Sequence, residues 1–389
     1  MATATDTRSQ SELNEVIAEL ERLNEGAREK DLWIRTKWNL ANQKSWHLGE
    51  SGAPKPGPSN LPLDHVSPVA HLWKWDDIQR YLFTLTELCP LELTERQSVL
   101  LTNPAFGTRG IKITNTMRIA ISIYKHGDVA VPHLHTPNAS RTIISETGGY
   151  TEVEGEKMAA KRGDLVFTPN GTWHGHGNLD AEPIIWADTL DWPLLDFLGC
   201  VSMRHDHDAA PDHGTPHGEF SRSFYGRGGI RPLFEAHPRG TGRDVTPMFL
   251  YQAHDIRGAL ADMRSYEGNP YEGVHIEIVN PLNGRTVFPT LSYRAQLLKN
   301  GQITQPYRHS ASQYFFVLEG EGTSEIDGQR FEWSKNDFFV VPSHAWRHHE
   351  VTGPGDAILY SVTDAPVMEK LGQYRSQGKL PSGKIVELG

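Results

Sequence analysis

The sequence predicts a mainly β protein made of two related antiparallel barrels behind an N-terminal helical arm. Three observations predict it. Short β-type runs at regular spacing, broken by Gly, Pro, Asp and Asn, fill residues 98–198. A second strand-rich block, about 273–366, repeats the first: Arg294–Gly372 can be laid on Arg118–Gly199 with small gaps, which is the scale of a duplicated domain rather than a solenoid. Between Val131 and Asn178 the first block carries Pro132-His133-Leu134-His135, then Gly163-Asp164 and an apolar run to Pro169, then Trp173-His174-Gly175-His176. Histidines two apart on a strand share a face, and a Gly-Asp turn followed by a Pro-led turn would bring a further histidine back to them.

The elements follow in order. Ser9 and Glu12 form a capping-box pattern, and Leu13, Val16, Ile17, Leu20 and Leu23 repeat at helical spacing before Gly26, which predicts one amphipathic helix. It would pack on a barrel or on a second subunit. Residues 31–70 hold Trp33, Trp38, Trp46 and His47, then a Pro/Gly-rich loop from Gly52 to Pro62. Trp75-Asp76-Asp77-Ile78 opens a second helix reaching about Leu88. Strands are expected at 119–124, 142–144, 150–153, 165–168 and 184–187. The resulting division is an arm and lead-in over 1–97, a metal-binding barrel over 98–198, a connector over 199–272, and a structural barrel with its tail over 273–389.

Composition narrows the function. At 389 residues there is enough chain for two cores. A net charge of -10 argues against a nucleic-acid groove and an anionic membrane surface. Cys89 and Cys200 have no CxxC spacing and read as isolated thiols. No signal peptide and no apolar run of membrane length is visible, so a soluble cytoplasmic protein is expected.

The two copies differ at the histidines. His133 falls on Tyr307 and His174 on Arg347, while His135 keeps His309. One barrel therefore has three histidines in register, His133, His135 and His174, and the other has one. Three neutral imidazoles suit Fe, Mn, Ni, Cu or Zn. Ala139 and Ser140 stand where a glutamate ligand often follows such a pair, and an all-histidine triad leaves about three octahedral positions open, which favours iron(II) with oxygen. Arg141 shares the parity of His135 and suits a substrate carboxylate; the alternative is an arginine paired with an acid. His176 could donate to substrate or oxygen, and Asp188 could orient a histidine from behind. The connector carries a second pair, His205-Asp206-His207, with His213 and His217, but no strand flanks it.

These residues resemble the bicupin gentisate and salicylate 1,2-dioxygenases, a family that includes 1-hydroxy-2-naphthoate dioxygenase. The likeness begins near His71-Leu72-Trp73, passes Glu95-Arg96 and Asn103-Pro104, is clearest from Gly127 to Asp191, and extends through Arg308-His309 and Val340-Val341-Pro342-Ser343. It implies two double-stranded β-helix (jelly-roll) barrels and a homo-oligomer, a tetramer. It also implies iron(II) on His133, His135 and His174, a small aromatic hydroxy-carboxylate with O2 as substrates, and cleavage between the carboxyl- and hydroxyl-bearing carbons. The resemblance makes Arg141, with Arg96 and Arg118, the substrate-binding set, and gives His176 and Asp188 assisting roles. Arg118, Ile119 and Ala120 stand where the family often has an aromatic and small residues, and Gln97 where a second arginine usually follows. Those departures bear on the choice among gentisate, salicylates and hydroxynaphthoates. An oxygen-independent cupin isomerase or decarboxylase, and a non-enzymatic binding cupin, are the competing readings.

Overall fold

The computed structural model describes residues 10–35, 66–89, 96–107, 110–146, 149–205, 220–228, 230 and 244–389. Ser9, Trp38, Trp46, His47, the Gly52–Pro62 loop and the connector's His207, His213 and His217 lie outside the described residues.

The arm is helix α1 (Gln10–Arg28), with Leu20 buried and Val16 and Leu23 against the core. It runs through Gly26 instead of stopping before it. A Cβ there would meet the Tyr81 hydroxyl at 3.2 Å, so the glycine permits a close approach to helix α2 (Trp75–Leu88). Helix α2 starts on Asp76 and Asp77, which favour a helix N-terminus, and buries Ile78, Leu82 and Leu85 on one face.

The first barrel is two facing antiparallel sheets. One runs β1 (Leu32–Ile34), β3 (Gln97–Leu101), β4 (Arg118–Tyr124), β11 (Ile184–Leu190), β6 (Ala139–Ile143), β9 (Leu165–Thr168) and β13 (Leu250–Tyr251). The other runs β12 (Met203–Arg204), β5 (Val129–His135), β10 (His174–Gly177), β7 (Tyr150–Val153) and β8 (Glu156–Ala159). In the second barrel the first sheet is β14 (Val274–Ile278), β15 (Ser292–Leu298), β22 (Ala357–Thr363), β17 (Gln313–Glu319), β20 (Phe338–Val341) and β2 (His71–Trp73). Its partner is β19 (Gln329–Trp333), β18 (Gly322–Ile326), β21 (Arg347–Val351), β16 (Tyr307–His309), β23 (Ser376–Lys379) and β24 (Ile385–Glu387). The lead-in thus gives one strand to each barrel. A short helix, α3 (Trp192–Phe197), precedes the connector, and within 199–272 the chain is not simply extended: it holds the short helix α4 (Phe220–Tyr225), strand β13, which completes a sheet, and helix α5 (Ala253–Asp262).

Strand alternation explains how both barrels and the site are made from one sequence. On β4, Ile119, Ile121 and Ile123 face the second barrel and join Tyr293, Leu297, Tyr314 and Phe316 in one shared core. The intervening Arg118, Ala120, Ser122 and Tyr124 face the first barrel's interior. Register also corrects the repeat. Arg118 lies opposite Leu190, and Ser292 opposite Thr363, so the structural counterpart of Arg118 is Ser292, not Arg294.

The duplication places two reciprocal hydrogen bonds across the barrel interface. Thr116 donates to Asp364 at 2.6 Å, and Thr290 donates to Asp191. Burial raises both carboxyl pKa values, that of Asp364 to about 6. Cys89 is buried and Cys200 exposed, and both are free thiols. No described helix is long and apolar enough to cross a membrane.

Candidate metal centre and pocket

Strand pairing brings the histidines together. On adjacent antiparallel strands β5 and β10, His133 lies directly opposite His174. A register shift then falls between His174 and His176, at Gly175, which re-aims the last residues of β10. The Gly163-Asp164 turn is present, with Gly163 at φ +82, where a side chain would be strained. All four imidazoles are buried, at 1 to 4 % exposure. Ring centroids are 4.2 Å apart for His133 and His174, 4.7 Å for His135 and His174, and 5.6 Å for His133 and His135.

Two trios compete as a ligand set. Ring nitrogens of His133, His174 and His176 lie within 4.8 Å of one another. Hydrogen bonding separates His176 from the others. Nδ1 of His135 lies 2.7 Å from the Pro137 carbonyl, and Nδ1 of His174 lies 3.0 Å from the Thr172 carbonyl. A carbonyl accepts only, so each Nδ1 carries the proton and each Nε2 keeps a lone pair. The buried His174 Nε2 has no hydrogen-bond partner among the described residues. His176 Nε2 instead accepts from Arg141 Nη2 at 2.7 Å, and its Nδ1 faces Thr151 Oγ1 at 3.3 Å. Both of its nitrogens are occupied.

Burial also keeps the rings neutral. It lowers the His135 pKa to about 3, with Arg96, Arg141 and Arg118 adding to the effect, and it holds His174 and His176 well below the ordinary value. Neutral imidazoles in a buried cluster with one orphaned Nε2 fit a divalent transition metal.

The opposite sheet supplies the charge. Asp188 Oδ1 lies 3.1 Å from Arg141 Nε, while its Oδ2 accepts from Ser122 Oγ at 2.7 Å and Trp186 Nε1 at 2.9 Å. Asp188 therefore acts on Arg141, and through it on His176, without touching a histidine itself. Arg141 is 1 % exposed and reaches Thr168 with its other Nη. Of its five N–H donors, two are left for a ligand. Arg96 Nη2 points at His133 Nε2. A guanidinium and a metal ion repel, so a cation on His133 requires Arg96 to turn away toward whatever anion is present. Arg118 lies 4.6 Å over the Trp192 ring, which is 6.3 Å from His135.

Gln97 is not a wall residue. It alternates to the far face of β3, where its amide donates to the Cys89 carbonyl at 2.7 Å. The sequence left His205 in a pair without strand flanks, yet it lies against the histidines. His205 stacks on His133 at 6.0 Å, because β12 pairs Met203 with His135 and leads straight over the cluster. Arg35 follows β1, and its amide bonds to the Ser98 carbonyl at 3.0 Å. A surface cleft of about 410 Å³, lined by Lys74, Arg330 and Trp333, shares no residue with the histidines.

In the second barrel the equivalent positions hold a closed polar set. Arg347 donates to Gln313 at 2.9 Å and pairs with Glu272, and His309 Nε2 lies 3.0 Å from Gln313 Oε1.

A family model described as "Cupin domain" matches residues 120–192 and 294–363. The chain is 35% identical over 80% of its length to a 5-aminosalicylate 1,2-dioxygenase of Comamonas sp, of which 82% is covered. It is 32% identical to gentisate 1,2 dioxygenase 1 of Aquipseudomonas alcaligenes, over 78% of this chain and 86% of that one. The crystal structure of the salicylate 1,2-dioxygenase of Pseudoaminobacter salicylatoxidans with gentisate superposes with a TM-score of 0.73 at 26% identity, covering 97% of each chain.

Proposed function

Because the chain belongs to the gentisate and salicylate 1,2-dioxygenase family of bicupins, the aromatic ring-cleaving dioxygenases, we propose that it uses iron(II) and O2 to open an ortho-hydroxy aromatic carboxylate. Cleavage falls between the carboxyl- and hydroxyl-bearing carbons. His133, His135 and His174 hold the iron in this reading. The observation that carries it is the pair of Nδ1–carbonyl contacts on His135 and His174, which leave Nε2 of each as a lone-pair donor in a buried, neutral cluster. When bound, the metal supplies a Lewis acid for a chelating hydroxy-acid and the electrons that make O2 reactive toward the ring.

The chain's own residues do the rest. Arg141, fixed by Asp188, presents its two remaining N–H donors to the substrate carboxylate, and Arg96 adds a second cation beside His133. His176 is held neutral by burial and by Arg141, and as an acceptor for Arg141 Nη2 it helps fix the guanidinium that faces the substrate. The enclosed sheet walls exclude water from the ring and strengthen each of these contacts. The proposal keeps a cytoplasmic homotetramer, tested by the mass in solution.

Oxygen uptake by protein loaded anaerobically with iron, against gentisate, salicylates and 1-hydroxy-2-naphthoate, tests the reading. One O2 consumed per ring opened is expected. Turnover of these acids without oxygen, or no uptake with any, overturns it.

A further inference from the structure

Tyr124 carries an unmatched hydroxyl inside the first barrel. It ends β4, and its parity with Arg118, Ala120 and Ser122 turns it into the barrel. The ring packs into an apolar floor with Ala130, Ile143 and Trp186 and is 1 % exposed. It stacks on Trp186, with centroids 4.8 Å apart and 24° between the planes, and makes a T-shaped contact with His176 at 6.4 Å. Contacts on its face and its edge fix the ring, and with it the direction of the hydroxyl, since a phenol oxygen lies on the ring axis.

A buried tyrosine hydroxyl normally has a hydrogen-bond partner. Tyr124 Oη has none among the described residues. The carboxylate on this wall is taken: Asp188 faces Arg141 with one oxygen and accepts from Ser122 and Trp186 with the other. Burial raises the Tyr124 pKa, so the group is a neutral donor, and the charges that bear on it most are Arg96, Asp188 and Arg141. The hydroxyl therefore stands among the guanidinium groups that frame the histidines, with a proton to give.

The second barrel shows that the frame does not need this hydroxyl. Register places Leu298 at the position of Tyr124, opposite Ala357 as Tyr124 is opposite Ile184. Leu298 is fully buried in an apolar core, and Leu359 stands where Trp186 does. Packing alone is met there by hydrocarbon. What sets the first barrel apart is its cluster of histidines and cations, so the acceptor for Tyr124 belongs to the molecule that the cluster binds.

Resting on the ring-cleavage reading and on Arg141 as the cation for the substrate carboxylate, we propose that the Tyr124 hydroxyl donates a hydrogen bond to that carboxylate. Arg141 reaches His176, against which the Tyr124 ring is set, so hydroxyl and guanidinium approach one oxyanion from neighbouring positions. A carboxylate has about four lone-pair sites and satisfies both donors with one oxygen left for a metal. A neutral group in its place accepts more weakly from this pair, so Tyr124 selects for acids.

Tyr124→Phe removes the oxygen and keeps the ring. Three measurements on the iron-loaded full chain, parent and variant, test the proposal. Without ligand, the thermal midpoint of the variant is expected to equal or exceed that of the parent; a clear fall makes the hydroxyl a structural donor and overturns the assignment. In anaerobic calorimetry with gentisate, salicylate and 1-hydroxy-2-naphthoate, the variant is expected to bind the best of them about ten-fold more weakly, the worth of one hydrogen bond to a charged group; equal affinity overturns it. With that acid isotope-labelled at the carboxyl carbon, infrared difference spectra of the bound state are expected to show the carboxylate stretching bands at different frequencies in parent and variant. Coinciding bands overturn it, because a loss of packing alone does not move them. Oxygen uptake keeps this proposal apart from the one it rests on. Weaker binding and shifted bands, with no uptake by the parent, leave Tyr124 as a carboxylate donor and overturn ring cleavage. Uptake by both proteins with equal affinities overturns the role of Tyr124 and leaves ring cleavage standing, and no binding of any of the acids by the parent overturns both.

Discussion

Replacing Asp188 by asparagine tests the network behind the metal centre. The carboxylate is 6 % exposed and serves three partners: Arg141, Ser122 and Trp186. An asparagine oxygen can still accept from Ser122 and Trp186, but its amide then turns a donor toward Arg141 Nε, which is also a donor. Arg141 becomes a buried charge without its acid, and breaking a buried pair from one side costs about 3–5 kcal/mol. Spread over the unfolding entropy of a chain this long, that loss lowers Tm by roughly 4–6 °C. His176 depends on Arg141 for its position, so kcat/KM should fall about 100-fold, the usual effect of a displacement near 1 Å. Thermal scans and oxygen uptake on the same preparations measure both. The double variant Asp188→Leu with Arg141→Met, which removes both charges, should recover most of the lost stability but none of the activity. An Asp188→Asn protein that melts within 1 °C of the parent (on the order of the scatter in such scans) and keeps its kcat/KM would refute the relay.

Metal content separates the two histidine trios. His135→Ala and His174→Ala should each lose the bound iron with the far-ultraviolet spectrum unchanged, whereas His176→Ala should keep it and lose turnover; iron retained in His135→Ala and lost in His176→Ala would move the ligand set to His133, His174 and His176. The interface carboxyl gives a pH prediction. With a folded pKa of about 6 against 3.8, Asp364 contributes stability that is full below about pH 4 and is lost as pH rises through 6, about 3 kcal/mol in all. Asp364→Asn should therefore flatten that part of the pH profile in urea unfolding, and a profile unchanged by the substitution would show that Asp364 titrates normally.

The legible parts of this fold were those that depend on local pattern. Helix α2 and strands β7 and β9 have the bounds that periodicity and turn residues set, because Trp75-Asp76-Asp77 and the Gly and Pro breaks act within a few residues. Arg141 also reaches the cavity, but not by sharing a strand with His135: β5 ends at His135, β6 lies in the facing sheet, and Arg141 faces inward there beside its cross-strand partner Asp188. What was not legible depends on pairing between distant segments. Arg35 follows a strand of three residues whose place comes entirely from its pairing with Val99, Leu100 and Leu101, more than sixty positions later. Gln97 stands where the resembling family usually has a second arginine, yet period two puts it on the face opposite Arg96, away from the cavity. Asp188 was placed behind a histidine, but an arginine intervenes, and only the side-chain geometry shows which partner takes its charge.

The second barrel shows how the same buried positions are satisfied without the histidines. Substituting Tyr307 and Arg347 for histidines does not merely delete ligands. Arg347 is 2 % exposed and would be an uncompensated charge in the place where His174 stands in the first barrel. Glu272, from the segment leading into β14, pairs with it, and Gln313 bridges it to His309. At the equivalent position of Gln313 the first barrel has Ala139, which leaves the His135 ring without such a bridge. A guanidinium with its own carboxylate thus fills this centre, and His309 serves as a hydrogen-bonding residue, its pKa held at about 3 by burial and Arg347. The same barrel frame accepts both sets of side chains: the second closes its lone pairs on a guanidinium, and in the proposed reading the first offers its own to a metal with positions left for a substrate.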